Sequence, residues 1–285
     1  MKTTQTNNWP ATQLADEDFD FIRRLVYERS RISLSADKKI LVASRLAKRL
    51  QHLQLPGFPE YCEWLRSPAG DGELRFLIDR ISTNHTCFFR EMKHFDYLRE
   101  TILPAWGAAA RRETFQVWSA ACSSGEEPYS LAIHLAEHLA PAESARWQIE
   151  ASDISTRVLE TAQRGIYEAG RLDAVAAKLV PRYFQKGAGD WAGQFRVKEA
   201  LRRRIQFHHL NLLDGDYPFN GRFHLILCRN VMIYFDRPTQ ETLIGRLSET
   251  LLPGGHLMVG HSESLSGIKH SLRPVQSAIY LKPLS

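Results

Sequence analysis

The sequence predicts an α/β protein in two parts: a small all-helical N-terminal domain, then a mostly parallel sheet that carries an inserted antiparallel hairpin. Three patterns support this. Before about residue 90, apolar residues recur only at helical spacing, with no strand signal. Beyond it, short buried-strand runs alternate with helices, the order that builds a parallel sheet covered on both faces. Between Arg182 and Lys198, two strand-like runs flank the glycine-rich stretch from Gly187 to Gly193.

The elements follow in order. Residues 1–14 are polar and are expected to be disordered. Residues 15–82 should form the helical domain. Its first helix follows Asp16-Glu17-Asp18 and carries Phe21, Ile22, Leu25 and Val26; its second carries Ile40, Ala43, Leu46 and Leu50. Pro59 opens a third, with Tyr61, Trp64 and Leu65, and the turn Gly70-Asp71-Gly72 precedes a fourth. Residues 83–106 read as a linker and a connecting helix from Met92 to about Leu103. Residues 107–285 read as the sheet domain, with the hairpin insert at about 180–200. Its strands are expected near 116–120, 147–151, 205–210, 223–228, 256–260 and 278–282, and its helices near 128–139, 157–164 and 240–252. The last two strands should close the sheet as an antiparallel hairpin.

Composition narrows the function. With 285 residues, 44% of them hydrophobic and 24% charged, the chain can bury a full core. No apolar run is long enough to span a membrane, and the polar N-terminus lacks a signal-peptide core, so a cytoplasmic location is expected. The four cysteines, Cys62, Cys87, Cys122 and Cys228, form no CxxC pair, and the eleven histidines show no HExxH spacing. No metal site is expected.

The net charge of +5 leaves an acidic protein, a membrane surface and nucleic acid open as partners. Lys38, Arg45 and Arg49 fall at i, i+7 and i+11, on one stripe of the second helix. That stripe is either a solvated face or a dock for an acidic partner.

In open α/β sheets, ligands bind beyond the carboxyl ends of the strands. The segment after the first strand runs Ala121 to Pro128 through Gly125, a small-residue loop that lets a ligand approach backbone N–H groups. After the second comes Asp153, an acid placed to accept from ribose hydroxyls. Asn211-Leu212 and Arg229-Asn230 follow later strands. There is no GxGxxG for a dinucleotide and no GxxxxGK[ST] for a triphosphate. Glu126 and Glu127 would repel phosphates but welcome a cation. These features suit S-adenosylmethionine, and with the terminal hairpin they point to a class I methyltransferase, Rossmann-like with a seven-stranded, mostly parallel sheet.

Longer motifs sharpen this. STNHTCFFRE from Ser82 to Glu91, WSAACSSGEEPYS from Trp118 to Ser130, Ala151-Ser152-Asp153, CRNVMIYF from Cys228 to Phe235 and GHSE from Gly260 to Glu263 stand in one order over nearly the whole chain. Together they resemble the chemotaxis receptor methyltransferases, the CheR family. The resemblance implies methylation of glutamate side chains on the cytoplasmic helices of chemoreceptors, with S-adenosylhomocysteine as the product. By matching position, Asn84, Thr86 and Arg90 would contact the cofactor, Glu127 its ammonium and Asp153 its ribose. Asn211, Leu212, Arg229 and Asn230 would line the adenine side. Arg90 and Tyr234 would face the reacting methyl.

The resemblance also bears on partners. The stripe of Lys38, Arg45 and Arg49 complements an acidic receptor bundle. Gly187, Gly189 and Gly193 resemble a loop that, in some members, docks the receptor's C-terminal pentapeptide; a structural flap is the alternative. A monomer without membrane insertion is expected. Two other functions stay open: methylation of nucleic acid or a small molecule, and a non-catalytic cofactor-binding signalling module. Against nucleic acid stand the missing NPPY-type pocket and the missing aromatic-interleaved basic ribbon.

Overall fold

The computed structural model describes residues 13–82, 84–108, 113–140, 146–219 and 223–284. The expected disorder of 1–14 falls almost wholly outside them. The chain divides into two compact units, Met1–Thr83 and Asn84–Ser285.

The first unit holds α1 (Asp16–Ser30), α2 (Lys39–Leu53), α3 (Phe58–Arg66) and α4 (Asp71–Ile81). Its core is built by Ile22, Val26, Leu46, Leu50, Phe58, Tyr61 and Leu77. The expected apolar face of α2 is corrected at its start. Val42, Leu46 and Leu50 point inward at i, i+4 and i+8, and Ile40, on the opposite side, is 82% exposed. Asp71 and Gly72 lie inside α4 rather than before it, because Gly70 is the cap. Gly70 is needed there: a Cβ would sit 2.6 Å from the Trp64 carbonyl oxygen.

The residues of the cationic stripe have partners within their own domain. Arg49 Nε donates to Glu73 Oε1 at 3.0 Å, its guanidinium stacks 3.7 Å over the Phe76 ring, and Tyr61 donates to the same carboxylate at 2.8 Å. Glu73 is buried, so it requires this counter-charge. Arg45 donates to the Ile81 carbonyl. Both arginines hold their own domain together; of the three, Lys38 is exposed.

The second unit begins with a helical arm, α5 (Met92–Tyr97), a π turn over Leu98–Ile102, and α6 (Leu103–Ala108). Then come β1 (Phe115–Ser119), α7 (Glu126–His138), β2 (Trp147–Asp153), α8 (Thr156–Arg164), β3 (Ile166–Glu168), α9 (Val180–Tyr183), β4 (Phe184–Lys186), β5 (Gln194–Val197), α10 (Glu199–Arg202), β6 (Ile205–His209), β7 (Phe223–Cys228), α11 (Arg237–Thr250), β8 (Leu251–Val259), β9 (Arg273–Gln276) and β10 (Ile279–Leu281). Seven strands form the main sheet in the order β6-β2-β1-β7-β8-β10-β9. The first five run parallel; β10 is antiparallel to β8 and to β9.

Alternate strand residues face opposite sides. Phe115 and Val117 of β1 join the core that contains Tyr129 and Leu131 of α7. Trp118 joins the other core, with Leu243, Ile244 and Leu247 of α11. The sheet is therefore buried on both faces, as the run of apolar residues requires.

Three local expectations differ. The helix expected to continue to Leu252 ends at Thr250, and Pro253–Gly255 lie within β8, where the register with β7 shifts. The closing hairpin is β9–β10, with Pro274 on the outer strand; the expected partners β8 and β10 do pair antiparallel. The insert has three strands, in the order β3-β5-β4, rather than two.

Candidate functional site

The strand order reverses between β1 and β7, and in such sheets ligands bind beyond the carboxyl ends of these neighbours. The loop between β1 and α7 starts at that end of the sheet. Ser123 and Gly125 adopt left-handed φ values of 49° and 95°. At Gly125 only glycine fits, since a Cβ would stand 2.8 Å from the Tyr167 hydroxyl and from the Ala162 Cβ. The turn delivers the N-terminus of α7, whose first two residues are Glu126 and Glu127.

Asp153 closes β2 and is buried. One carboxylate oxygen accepts from the Ser123 N–H at 2.8 Å, and the other from the Ser155 N–H at 2.9 Å. The Asn84 carbonyl accepts from the Ser123 hydroxyl at 3.0 Å, so the segment carrying Asn84 and buried Thr86 meets the same loop.

Glu127 is held on both sides. Ser119 donates to one oxygen at 2.7 Å and Arg229 Nε to the other at 2.7 Å. Arg229 also donates to the Arg90 carbonyl at 2.7 Å and to His94 Nδ1 at 3.0 Å, and lies 3.6 Å from Glu91. Burial of Glu91 opposes its ionisation, but Arg229 and the Asn230 amide outweigh it and hold the carboxyl below its usual range. Burial and Arg229 depress the His94 imidazole to about 3. Neutral His94 then accepts from Arg229, with its proton on Nε2. The side chain of Arg229 is only 2% exposed. It is therefore a buried hub tying β7, α7 and the Arg90 loop together.

Glu91, His94 and His261 bring donor atoms within 4.8 Å of one another. Arg229 already provides the cation in contact with the first two.

After β7 the chain turns through Asn230, left-handed at φ 59°, into the single helical turn Met232–Tyr234. Buried Glu263 braces it. Its carboxylate accepts from the N–H groups of Asn230 at 2.7 Å, Met232 at 2.8 Å and Gly260 at 2.6 Å. Tyr234 is half-buried, and so is Arg90, whose guanidinium donates to the His85 carbonyl at 3.1 Å. Leu212 is buried after β6, and Asn211 caps its own turn through Leu213 and Asp214. Cys122 and Cys228 are buried and burial raises both thiols, so they fill space rather than supply thiolates.

All the carried-over residues except the docking groups thus belong to one unit and stand at the ends of β1, β2, β6 and β7 or on the Asn84–Arg90 segment. Sequence reasoning gave no role to Glu91, His94, Tyr167, Arg171 or Glu263. Glu91 and Glu263 were visible as ends of the quoted motifs. Tyr167 and Arg171 gave no signal, because their partners are a loop carbonyl and a buried acid distant in sequence.

The seven-stranded, mostly parallel sheet in this order is the fold of a class I, S-adenosylmethionine-dependent methyltransferase. Residues 84–281 match the CheR methyltransferase, SAM binding domain, and residues 17–82 the CheR methyltransferase, all-alpha domain; the chain belongs to the CheR methyltransferase family. It is 42% identical to a chemotaxis protein methyltransferase of Salmonella typhimurium over 90% of this chain and 86% of the relative. It is 42% identical to chemotaxis protein methyltransferase 2 of Pseudomonas aeruginosa, over 93% of this chain and 92% of the relative. It is 38% identical to the chemotaxis protein methyltransferase of Borreliella burgdorferi, over 99% of this chain and all of the relative. The cofactor is S-adenosylmethionine. Among the described residues, no helix is long and apolar enough to cross a membrane.

Proposed function

We propose that this enzyme transfers a methyl group from S-adenosylmethionine to glutamate side chains on the cytoplasmic helices of chemoreceptors, forming γ-methyl esters in chemotactic adaptation. The observation that carries this is the match to relatives named chemotaxis protein methyltransferases over nearly the full chain. A cytoplasmic monomer is part of the proposal.

The chemistry follows from charge. A glutamate side chain has an unperturbed pKa of about 4.3, so at neutral pH it is already a nucleophile. No general base is needed. The enzyme has to strip water from the carboxylate and align one oxygen behind the methyl, in line with the departing sulfur. Asp153 holds the ribose hydroxyls. Glu127 meets the ammonium with the free lone pairs of its paired carboxylate. Asn84 and Thr86 approach from their loop, with Asn211, Leu212 and Asn230 on the adenine side. Arg90 steadies one oxygen of the incoming carboxylate and leaves the other free to attack. Tyr234 faces the same centre.

Receptor docking would use Lys38, exposed in the turn before α2, with Arg45 and Arg49 also bonded within their own domain. A receptor tail peptide would add to an open edge of the inserted sheet, and β4 offers one because β5 lies in the middle. Gly189 and Gly193, at φ 59° and 84°, form the turn. Gly187 keeps the approach to Trp191 close: a Cβ would stand 2.2 Å from the Trp191 carbonyl oxygen.

The test is incubation with methyl-labelled S-adenosylmethionine and chemoreceptor-enriched membranes. Label on the receptor band that is released as methanol by mild alkali supports the proposal. Label that resists alkali, or appears on nucleic acid, refutes it.

A further inference from the structure

We propose that Tyr167 and Arg171, on the inserted sheet and the turn that follows it, are positioning residues for the cofactor loop. The loop from Ala121 to Gly125 contains two left-handed residues, one of them the non-glycine Ser123. Such a loop holds its shape only when its surroundings fix it. From one side, Asp153 and the Asn84 carbonyl hold Ser123. The opposite side meets Tyr167 and Arg171 of the insert, with Ala162 of α8 against Gly125.

Tyr167 is buried, and its hydroxyl donates to the Ser124 carbonyl oxygen at 2.7 Å. Burial raises its phenol well above the ordinary range, so it remains a donor at every working pH. Arg171 pairs with Glu126, whose side chain is wholly buried. The other oxygen of Glu126 accepts from Ser124 Oγ at 2.7 Å. Phe88 packs edge-on to Tyr167 at 5.0 Å and to Phe184 of β4 at 5.6 Å, so the insert is also rooted beside the Asn84–Arg90 segment.

The loop is one of the surfaces on which the cofactor rests, and only the fraction of molecules with the loop in place binds it. Apparent affinity falls in proportion to that fraction. Loosening the insert's grip should weaken the cofactor and its product alike, without contact between either residue and the ligand.

The experiment is calorimetry of the whole enzyme with S-adenosylhomocysteine, for Tyr167→Phe, Arg171→Ala, Arg171→Lys and Glu126→Gln, each with a thermal melt. The Kd should rise roughly five- to thirtyfold in Tyr167→Phe, Arg171→Ala and Glu126→Gln at full binding stoichiometry. Arg171→Lys should recover most of the loss, and Arg171→Ala combined with Glu126→Gln should be no worse than either alone. In turnover, the KM for the cofactor should rise by more than kcat falls. A Kd within twofold of the parent in these variants overturns the proposal, whether the melting point falls or not. So does a reduced stoichiometry at unchanged Kd, which would mark a role in folding alone.

Discussion

Glu127 and Arg229, 102 residues apart in sequence, meet at 2.7 Å with both side chains almost wholly buried. The pair joins the start of α7 to the end of β7 across β1, the neighbour of β7 at the reversal of strand order. Because Arg229 also holds the Arg90 carbonyl, the residue proposed to face the reacting methyl hangs on the same ion pair as the residue proposed to meet the cofactor's ammonium.

Removing the arginine should therefore leave buried Glu127 and half-buried Glu91 without their cation. Arg229→Met is expected to cost about 3–5 kcal/mol of stability. Adding Glu127→Gln should recover part of that loss, because the uncompensated charge is gone. Urea unfolding of the two variants measures this. A loss under about 1 kcal/mol in Arg229→Met would show that the pair is not structural.

Asp153→Ala should weaken S-adenosylhomocysteine binding more than it disturbs folding. Two hydrogen bonds to a charged group, each about 1.5–3 kcal/mol, predict a rise in Kd of well over tenfold. Titration calorimetry decides. Unchanged affinity in a folded variant would remove Asp153 from the ribose site.

Arg90→Ala and Tyr234→Phe should behave in the opposite way. Each is expected to lower single-turnover methylation by about ten- to a hundredfold, the worth of one hydrogen bond to a charged group, and to lower cofactor affinity by less. A normal single-turnover rate at saturating receptor would overturn the role given to that residue.

Acid should destabilise the fold in a defined window. Burial depresses His94 and His134 to about 3 and His256 to about 4. Each is neutral when folded and takes up a proton near pH 6.5 when unfolded. The unfolded state thus binds more protons between those values, and stability rises with pH across them. Read downward, stability is complete above about pH 6.5 and is lost progressively toward pH 4. Thermal melts against pH should show this, and His256→Leu should flatten the slope. A melting point independent of pH over that range would contradict the burial of these rings.

The parallel sheet was legible because burial on both faces leaves continuous apolar runs, as from Phe223 to Cys228, and because the motif blocks sit at strand ends. Element ends were less so. α11 starts at Arg237, three residues before Gln240, because Asp236 caps it by accepting from the Thr239 N–H at 3.0 Å. The cap was in the sequence, as Asp followed by Arg and Pro. β3 and β9 escaped notice because each is short and lies at a sheet edge. The partners of Lys38, Arg45 and Arg49 were not legible for another reason. Helical spacing shows that residues share a face, not that the face is solvated, and buried Glu73 lies under Arg49. At the site, matching positions located the residues, yet nothing local could reveal that Arg229 turns inward to Glu127. That pairing depends on strand order.

The most direct test is mapping of the methyl group itself. Purified enzyme, S-adenosylmethionine and a chemoreceptor cytoplasmic fragment are allowed a single turnover, and receptor peptides are sequenced by mass spectrometry at acidic pH. The expected result is a mass gain of one methylene on glutamate side chains of the receptor's helices, lost after alkali and absent with Asp153→Ala at limiting cofactor. Methylation on lysine, on backbone termini or on no receptor residue at all, by an enzyme that binds its cofactor normally, would contradict the assignment.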